Sequence, residues 1–377
     1  MMDFLPLIIV LALGLGAAWL VHARTRLPDP APSADSPQAV ERSVQFTGQA
    51  GEYFWKWLSV VALNIVTLGL YSPWGTVKLR TYLYGHTRVG PHAFAFLGDP
   101  IAILKGRLIV GGVLIVLVVL ASVAPTLYAV ALAAAYLVGL PLLMPRALRY
   151  HARTTALAQA PFSFAGRSGG AFLAYVVGPV GGILSLGTLL PVFSRYTAFY
   201  RYNHLAWAGR PIAVSVSLGQ MYRALGWGLL GGGVSAGVVG IVVAALFADF
   251  GADHEEIGAA AFLPLVIFYF GFIPAALIYQ TAKLRAILDS LVVDGVGRLQ
   301  CQLPAGRTIF VSLTNLLAVI GSLGLAIPWA RIRALRLITG ALTFHAVPGV
   351  LTLDAGAEAQ ARTATDEITG SLFNVEF

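Results

Sequence analysis

The chain has 377 residues, of which 58% are hydrophobic and 11% charged, with a formal net charge of +8. With its 41 glycines counted, the apolar share is about 69%, against roughly 45–50% for soluble domains. This excludes a disordered chain and a nucleic-acid-binding tail and argues against a soluble enzyme, because a soluble fold of this size cannot hide so much apolar surface. The composition is that of an integral membrane protein.

Residues 4–21 form an apolar run about one bilayer thick, followed by His22, Arg24 and Arg26. A cleaved signal peptide starts basic, whereas this run is preceded by Asp3, so residues 1–22 are read as an uncleaved anchor. Residues 23–43, rich in Pro, Ala and Ser, read as a flexible linker. The rest, 44–375, reads as one polytopic membrane domain. Residues 108–144 are almost wholly apolar and break at Ala124-Pro125-Thr126, which predicts a helical hairpin. Residues 224–280 predict a second hairpin with the acidic segment Asp253-His254-Glu255-Glu256 at its tip. From Tyr53 to Ala248 there are 14 basic residues and one acid, Asp99. Basic segments flank both hairpins, so both have their ends on the cytoplasmic side. The lone cysteine, Cys301, excludes an internal disulfide and a Cys-rich metal site.

Three further segments, near 44–100, 161–215 and 299–350, share a template: Gly, 16 residues, Leu-Gly, three residues, Pro. The copies are Gly51, Leu68-Gly69 and Pro73; Gly169, Leu186-Gly187 and Pro191; and Gly306, Leu323-Gly324 and Pro328. Each predicts an apolar helix ended by Leu-Gly, with Gly at C′, and a second helix begun at Pro. The second helices carry bases and aromatics that suit a headgroup interface: Lys78, Arg80 and Tyr82; Arg195 and Tyr200; Arg331 and Arg333. They are candidate lipid or solute contacts. A β-like stub precedes each unit, at 44–48, 162–166 and 299–303, and the alternating apolar residues from Leu342 to Leu353 can pair with those stubs. The fold class expected is an all-α polytopic bundle with three pseudo-repeats and short flanking β stubs.

The stretches Phe46-Thr47-Gly48-Gln49-Ala50-Gly51-Glu52-Tyr53-Phe54, Asn64 with Thr67-Leu68-Gly69-Leu70-Tyr71-Ser72-Pro73-Trp74, and Arg80-Thr81-Tyr82 resemble the YjgN family. The resemblance covers roughly residues 44–375 and implies a bacterial inner-membrane location. It brings no reaction and no catalytic residues. The second unit departs most, with Val192 in place of Trp74 and Gly182 in place of Asn64.

The charge pattern and the helix lengths pull apart. If each apolar repeat helix spans the bilayer once, the two hairpins face opposite ways, yet their flanking bases put them on one side. Length favours full spans. The alternative is a helix that breaks at Leu-Gly-x-x-x-Pro and returns, which needs protein around it.

Other motifs lose to simpler readings. Gly166-Arg167-Ser168-Gly169-Gly170 matches a serine-nucleophile pattern, but no His lies in any apolar span to act as base. Gly226-Trp227-Gly228-Leu229-Leu230-Gly231 matches a dinucleotide fingerprint without the strand it requires, and reads as helix packing, as does Gly233-x-x-x-Gly237. Asp253 to Glu256 reads as a solvated tip rather than a metal site. Asn64 is a polar residue in an apolar helix, either a solute contact or an interhelical hydrogen bond. Asp99, between Gly98 and Pro100, reads as an N-cap. Glu52 and Lys56, four residues apart, read as an interfacial pair. No enzyme, cofactor or metal is expected. Two functions stand: a transporter or channel for a small, anionic solute, or a non-transporting scaffold that interacts with membrane lipids.

Overall fold

The computed structural model describes residues 40–247 and 263–347. The expected anchor, most of the linker, the acidic segment 253–256 and the chain beyond Val347 lie outside these residues.

The fold alternates strands with helical pairs. Strand β1 (Val40–Phe46) begins four residues before the expected domain start. It leads to α1 (Ala50–Val66), α2 (Ser72–Gly85) and the β-hairpin β2 (Thr87–Val89) and β3 (His92–Phe96). Next come α3 (Pro100–Val123) and α4 (Pro125–Arg153), then β4 (Thr155–Leu157) and β5 (Ala160–Phe164). The third pair is α5 (Ser168–Leu184) and α6 (Leu190–Tyr202), followed by β6 (Leu205–Trp207) and β7 (Arg210–Val214). The fourth is α7 (Leu218–Phe247) and α8 (Leu263–Asp289), followed by β8 (Leu291–Val293) and β9 (Gly297–Cys301). The last is α9 (Ala305–Gly321) and α10 (Ile327–Thr339), and β10 (Leu342–Ala346) ends the described chain.

The ten strands close into one antiparallel barrel, β10 pairing with both β9 and β1. This corrects the expected all-α bundle. The three expected stubs are parts of β1, β5 and β9, but they are three strands of ten, and the other seven are strands of three to five residues. Tight turns use left-handed backbone, at Ala158-Gln159 (φ 50° and 69°) and Ala208-Gly209 (φ 50° and 77°), the geometry that two-residue hairpins favour. Gly297 is required at the seam: its φ is +158°, and a Cβ there would strike the His345 carbonyl on β10. The barrel is filled, not hollow. Val44, Val89, Leu157, Ala160, Trp207, Ile212, Val293 and Ala346 form a buried cluster, joined by Phe94 and Leu299, so all ten strands contribute.

Because tight hairpins join the strands at one rim, all five helical connections leave from the other. Each pair must therefore go out and come back. Side chains show the return. Gly75 on α2 lies against Val60 on α1, Lys78 Nζ donates to Ser59 Oγ at 3.0 Å, and the Tyr82 ring stacks on Tyr53. Thr197 on α6 reaches the Ala174 carbonyl on α5 (3.3 Å), and Asn315 Nδ2 on α9 reaches the Ala330 carbonyl on α10 (3.1 Å). The second helix of each pair also packs on the first helix of the next, and α10 packs on α1, which closes a ring of helices.

The reversals at Leu68-Gly69, Leu186-Gly187 and Leu323-Gly324 are alike. The leucine, not the glycine, takes the left-handed C′ place (φ 50°, 50° and 49°), and the glycine follows at φ 87°, 85° and 92°. The glycine N–H bonds the carbonyl five residues back, on Asn64, Gly182 and Val319, and the leucine N–H bonds the carbonyl three back, completing a Schellman cap. A left-handed leucine costs roughly 1 kcal/mol or more. All three leucines are more than 90% exposed at the tips of their pairs.

The long pair reaches further. At ~1.5 Å per residue, the 24 residues of α3 extend ~36 Å, whereas the 17 of α1 extend ~25 Å. Three described helical stretches, Pro100–Val123, Pro125–Arg153 and Leu218–Val242, are long and apolar enough to cross a membrane. Both predicted hairpins extend beyond their expected 108–144 and 224–280 limits, into the basic residues. Helices α7 and α8 meet at Gly228 and Gly231, where a Cβ would strike α8. The helix-packing reading therefore holds for Gly228 and Gly231, while among the described residues a Cβ at Gly226, Gly233 or Gly237 meets nothing within 4 Å.

Candidate functional site

Most of the nine candidate side chains hold helices together. Arg195 is buried, with its Nε donating to the Val216 carbonyl at 2.7 Å and its guanidinium over the Phe199 ring. Asp99 caps α3, accepting from the N–H groups of Ile101 and Ala102 at 3.1 Å each. Arg80 meets His151 Nδ1 at 3.3 Å and lies over the Phe96 ring. Lys78 is tied to Ser59, and Arg331 lies beside the Tyr53 hydroxyl. The Asn64 Oδ1 is buried with no hydrogen-bond partner among the described residues. Glu52 and Lys56 do not pair with each other; both turn to Tyr82, one through its carboxylate and the other over the ring.

The tyrosines reveal a device of the first three pairs that the fourth, with Ala286 at the same position, and the fifth lack. Five residues before the next strand, the second helix of the first three pairs carries Tyr82, Tyr150 and Tyr200. Each hydroxyl meets the backbone carbonyl of the residue preceding its partner helix: Gln49 (3.2 Å), Asp99 (3.4 Å) and Arg167 (3.0 Å). Tyr82 also accepts from the Gln49 N–H at 2.9 Å. Burial pushes the pKa of Tyr82 up, with Glu52 adding to the rise, and pushes that of Tyr200 up to about 12. These hydroxyls are fixed donors. In the fifth pair the same position is Leu337, and no such tie closes the base of the pair.

A cleft of about 840 Å³ opens there, between α9 and α10, with Ala50 of α1 at its edge. It is lined by Arg307, Arg333 and Arg336, with Phe310, Trp329 and Gln302. No carboxylate lines it among the described residues. Arg333 is aimed by Thr314 Oγ1 (2.7 Å) and Asn315 Oδ1 (3.1 Å), and its guanidinium lies 5.0 Å from the Trp329 ring and 5.9 Å from that of Phe310. Arg336 donates to the Gly48 carbonyl at 2.7 Å and so fastens the fifth pair to the first. Arg149 does the same between the second and third pairs, to the Gly166 carbonyl.

Of the nine candidate contacts only Arg333 lines this cleft, joined by Arg336 from the same basic run after Pro328. Arg307 was missed although a signal existed: it follows Gly306 as Glu52 follows Gly51, so the template reverses charge at one position. In the first unit that carboxylate meets a tyrosine. In the last, an arginine and a leucine stand at the corresponding positions and line the cleft. The arrangement can take a compact anion with several acceptor oxygens, held by guanidinium forks and flanked by aromatic rings. The residues hold no group of His, Cys, Asp and Glu able to bind a metal among those described.

The architecture defines the class: a ring of helices, some long enough for a bilayer, seated on one rim of a filled ten-stranded barrel. The chain belongs to the YjgN family, matching over residues 41–370 the family described as "Bacterial protein of unknown function (DUF898)". It is 30% identical over 119 residues to the inner membrane protein YjgN of Salmonella typhimurium strain LT2. That match takes in 32% of this chain and 30% of the relative's length. No solved structure matches the chain.

Proposed function

We propose that the chain is a multi-pass inner-membrane protein that binds a phosphate-class anion at the arginine cleft and does not conduct solute through its barrel. The cleft carries this reading: three arginines without a carboxylate, where the other short pairs are closed by tyrosine. Phosphate groups on lipid or solute have the acceptor oxygens that guanidinium forks match. A conduit has less behind it, because side chains from all ten strands fill the barrel.

The membrane arrangement follows from the shared rim. The barrel stands in the cytoplasm, the basic side. The long pairs cross a ~30 Å hydrocarbon core, and the three short pairs enter and turn back at their leucine tips. The short pairs are one device used three times. Hairpins and short pairs then face one way without conflict, since every connection starts and ends at the barrel. Neighbouring pairs bury the re-entrant turns, as non-spanning backbone in lipid requires.

The test is thermal unfolding of the detergent-solubilised full chain, titrated with short-chain phosphatidylglycerol, inorganic phosphate and phosphatidylcholine. Inorganic phosphate raises the unfolding temperature of the parent and not of Arg307→Gln or Arg333→Gln, phosphatidylglycerol raises that of the parent more than that of either variant, and phosphatidylcholine shifts all three alike. Equal shifts with phosphate in parent and variants refute the site.

A further inference from the structure

A second cleft, of about 1110 Å³, lies between the third and fourth pairs. It runs from the tip residues Ile183 and Leu186 to the barrel ends of α6 and α8, where Arg201 and Lys283 line it. Its lining is apolar along most of its length, and no carboxylate is part of it among the described residues. Arg201 and Lys283 share that barrel end. Both rest on aromatic rings. Arg201 lies over Tyr175 and donates from Nε to its hydroxyl at 3.0 Å, and Lys283 lies 5.3 Å from the Tyr279 ring centre. Two like charges held together at the end of an apolar trough call for an anionic amphiphile.

The trough exists because a side chain is missing. Gly182 occupies the place that Asn64 and Val319 fill in the other short pairs, and a Cβ built there meets only Leu190 Cγ, at 3.7 Å. The length also fits. Helix α6, 13 residues, extends ~20 Å, more than the ~15 Å of hydrocarbon in one leaflet, which leaves the last turn for a headgroup.

We propose that this trough holds one anionic phospholipid of the cytoplasmic leaflet, its acyl chain along Gly182, Ile183 and Leu186 and its phosphate between Arg201 and Lys283. Attraction of two surface cations for an anionic lipid amounts to a preference on the order of tenfold to thirtyfold over a zwitterionic one. This site is separate from the arginine cleft, and neither depends on the other.

Native mass spectrometry of the full chain in mild detergent, with added phosphatidylglycerol or phosphatidylcholine, tests it. The measurements are made with the arginine cleft disabled by Arg307→Gln, and that parent retains one phosphatidylglycerol in strong preference. The double variant Arg201→Gln/Lys283→Gln loses the preference, and Gly182→Leu, which fills the trough, loses the bound lipid of either kind. The double variant leaves the apolar part of the trough unchanged and so keeps the test valid if Gly182→Leu does not fold. Arg307→Gln leaves this lipid in place. Unchanged binding in the double variant overturns the proposal, as does displacement of the lipid by millimolar inorganic phosphate. Loss in Arg307→Gln alone overturns it and leaves the arginine cleft standing.

Discussion

Replacing Gly75 with alanine tests whether the basic helix α2 returns along α1. A Cβ at Gly75 would meet all three side-chain carbons of Val60, the nearest well inside contact distance. Valine is stiff at χ1 and cannot swing clear, so the helices must part. Overpacking of this kind costs about 1–3 kcal/mol, offset by about 0.5–1 kcal/mol of helix propensity gained on losing a glycine. The net expectation is a loss of about 1 kcal/mol, up to about 2.5. Gly106, the seventh residue of α3, is the control: a Cβ there meets nothing within 4 Å, so Gly106→Ala gains the propensity term alone. Thermal unfolding in one detergent then moves the two variants in opposite directions. Val60→Ala added to Gly75→Ala restores part of the loss, with a coupling of about 0.5–3 kcal/mol. If α2 lay apart on the membrane surface, Gly75→Ala would stabilise as Gly106→Ala does, and that result refutes the returning pair.

Tyr200→Phe removes the hydroxyl that donates to the Arg167 carbonyl and costs about 1 kcal/mol by thermal unfolding. The folded pKa of Tyr200, about 12, stands above the ordinary 10, so the parent loses stability as pH rises from 10 through 12; the variant shows a shallower decline over that window. Cys301 is 2% exposed and burial pushes its thiol pKa up, so maleimide labels it only after denaturation. Against that silent background, cysteines at Pro91, Gln159 and Asp294, all on the tight-hairpin rim, label from one face of the membrane, and one at Thr126 labels from the other. Labelling of the three rim positions from different faces rejects the shared rim.

The membrane class, the two long hairpins and the Leu-Gly-x-x-x-Pro reversals were legible because apolar runs and Pro and Gly carry local signals. The barrel was not. Strands such as Thr87–Val89 and Leu291–Val293 are too short to show alternation, and each pairs across a helical excursion that periodicity cannot see past. The turns Val89-Gly90-Pro91 and Asp294-Gly295, each just before the next helical pair, were the available hint. Reading the hairpins and the three units as different things hid their equivalence, since both are αα connections between successive strands. The topology conflict had the same root: a second helix packs back along each apolar repeat helix, so length alone does not imply a single crossing. At the candidate site, Arg333 stood out by its helix, but Arg307 and the missing tyrosine needed the pairs to be superposed.

The seam between β1 and β10 has a consequence for biosynthesis. Val40 pairs with Ala346, so the two partners emerge from the ribosome 306 residues apart. At roughly 5–20 residues per second, that is about 15–60 s during which β1 has no partner on one side. An open strand edge is a template for any other strand nearby. The nascent chain therefore carries an unpaired edge through almost its whole synthesis, and only the last described strand removes it. Truncation ahead of Leu342 would leave that edge open permanently, which makes a shortened product a target for proteolysis or aggregation even with every membrane helix in place.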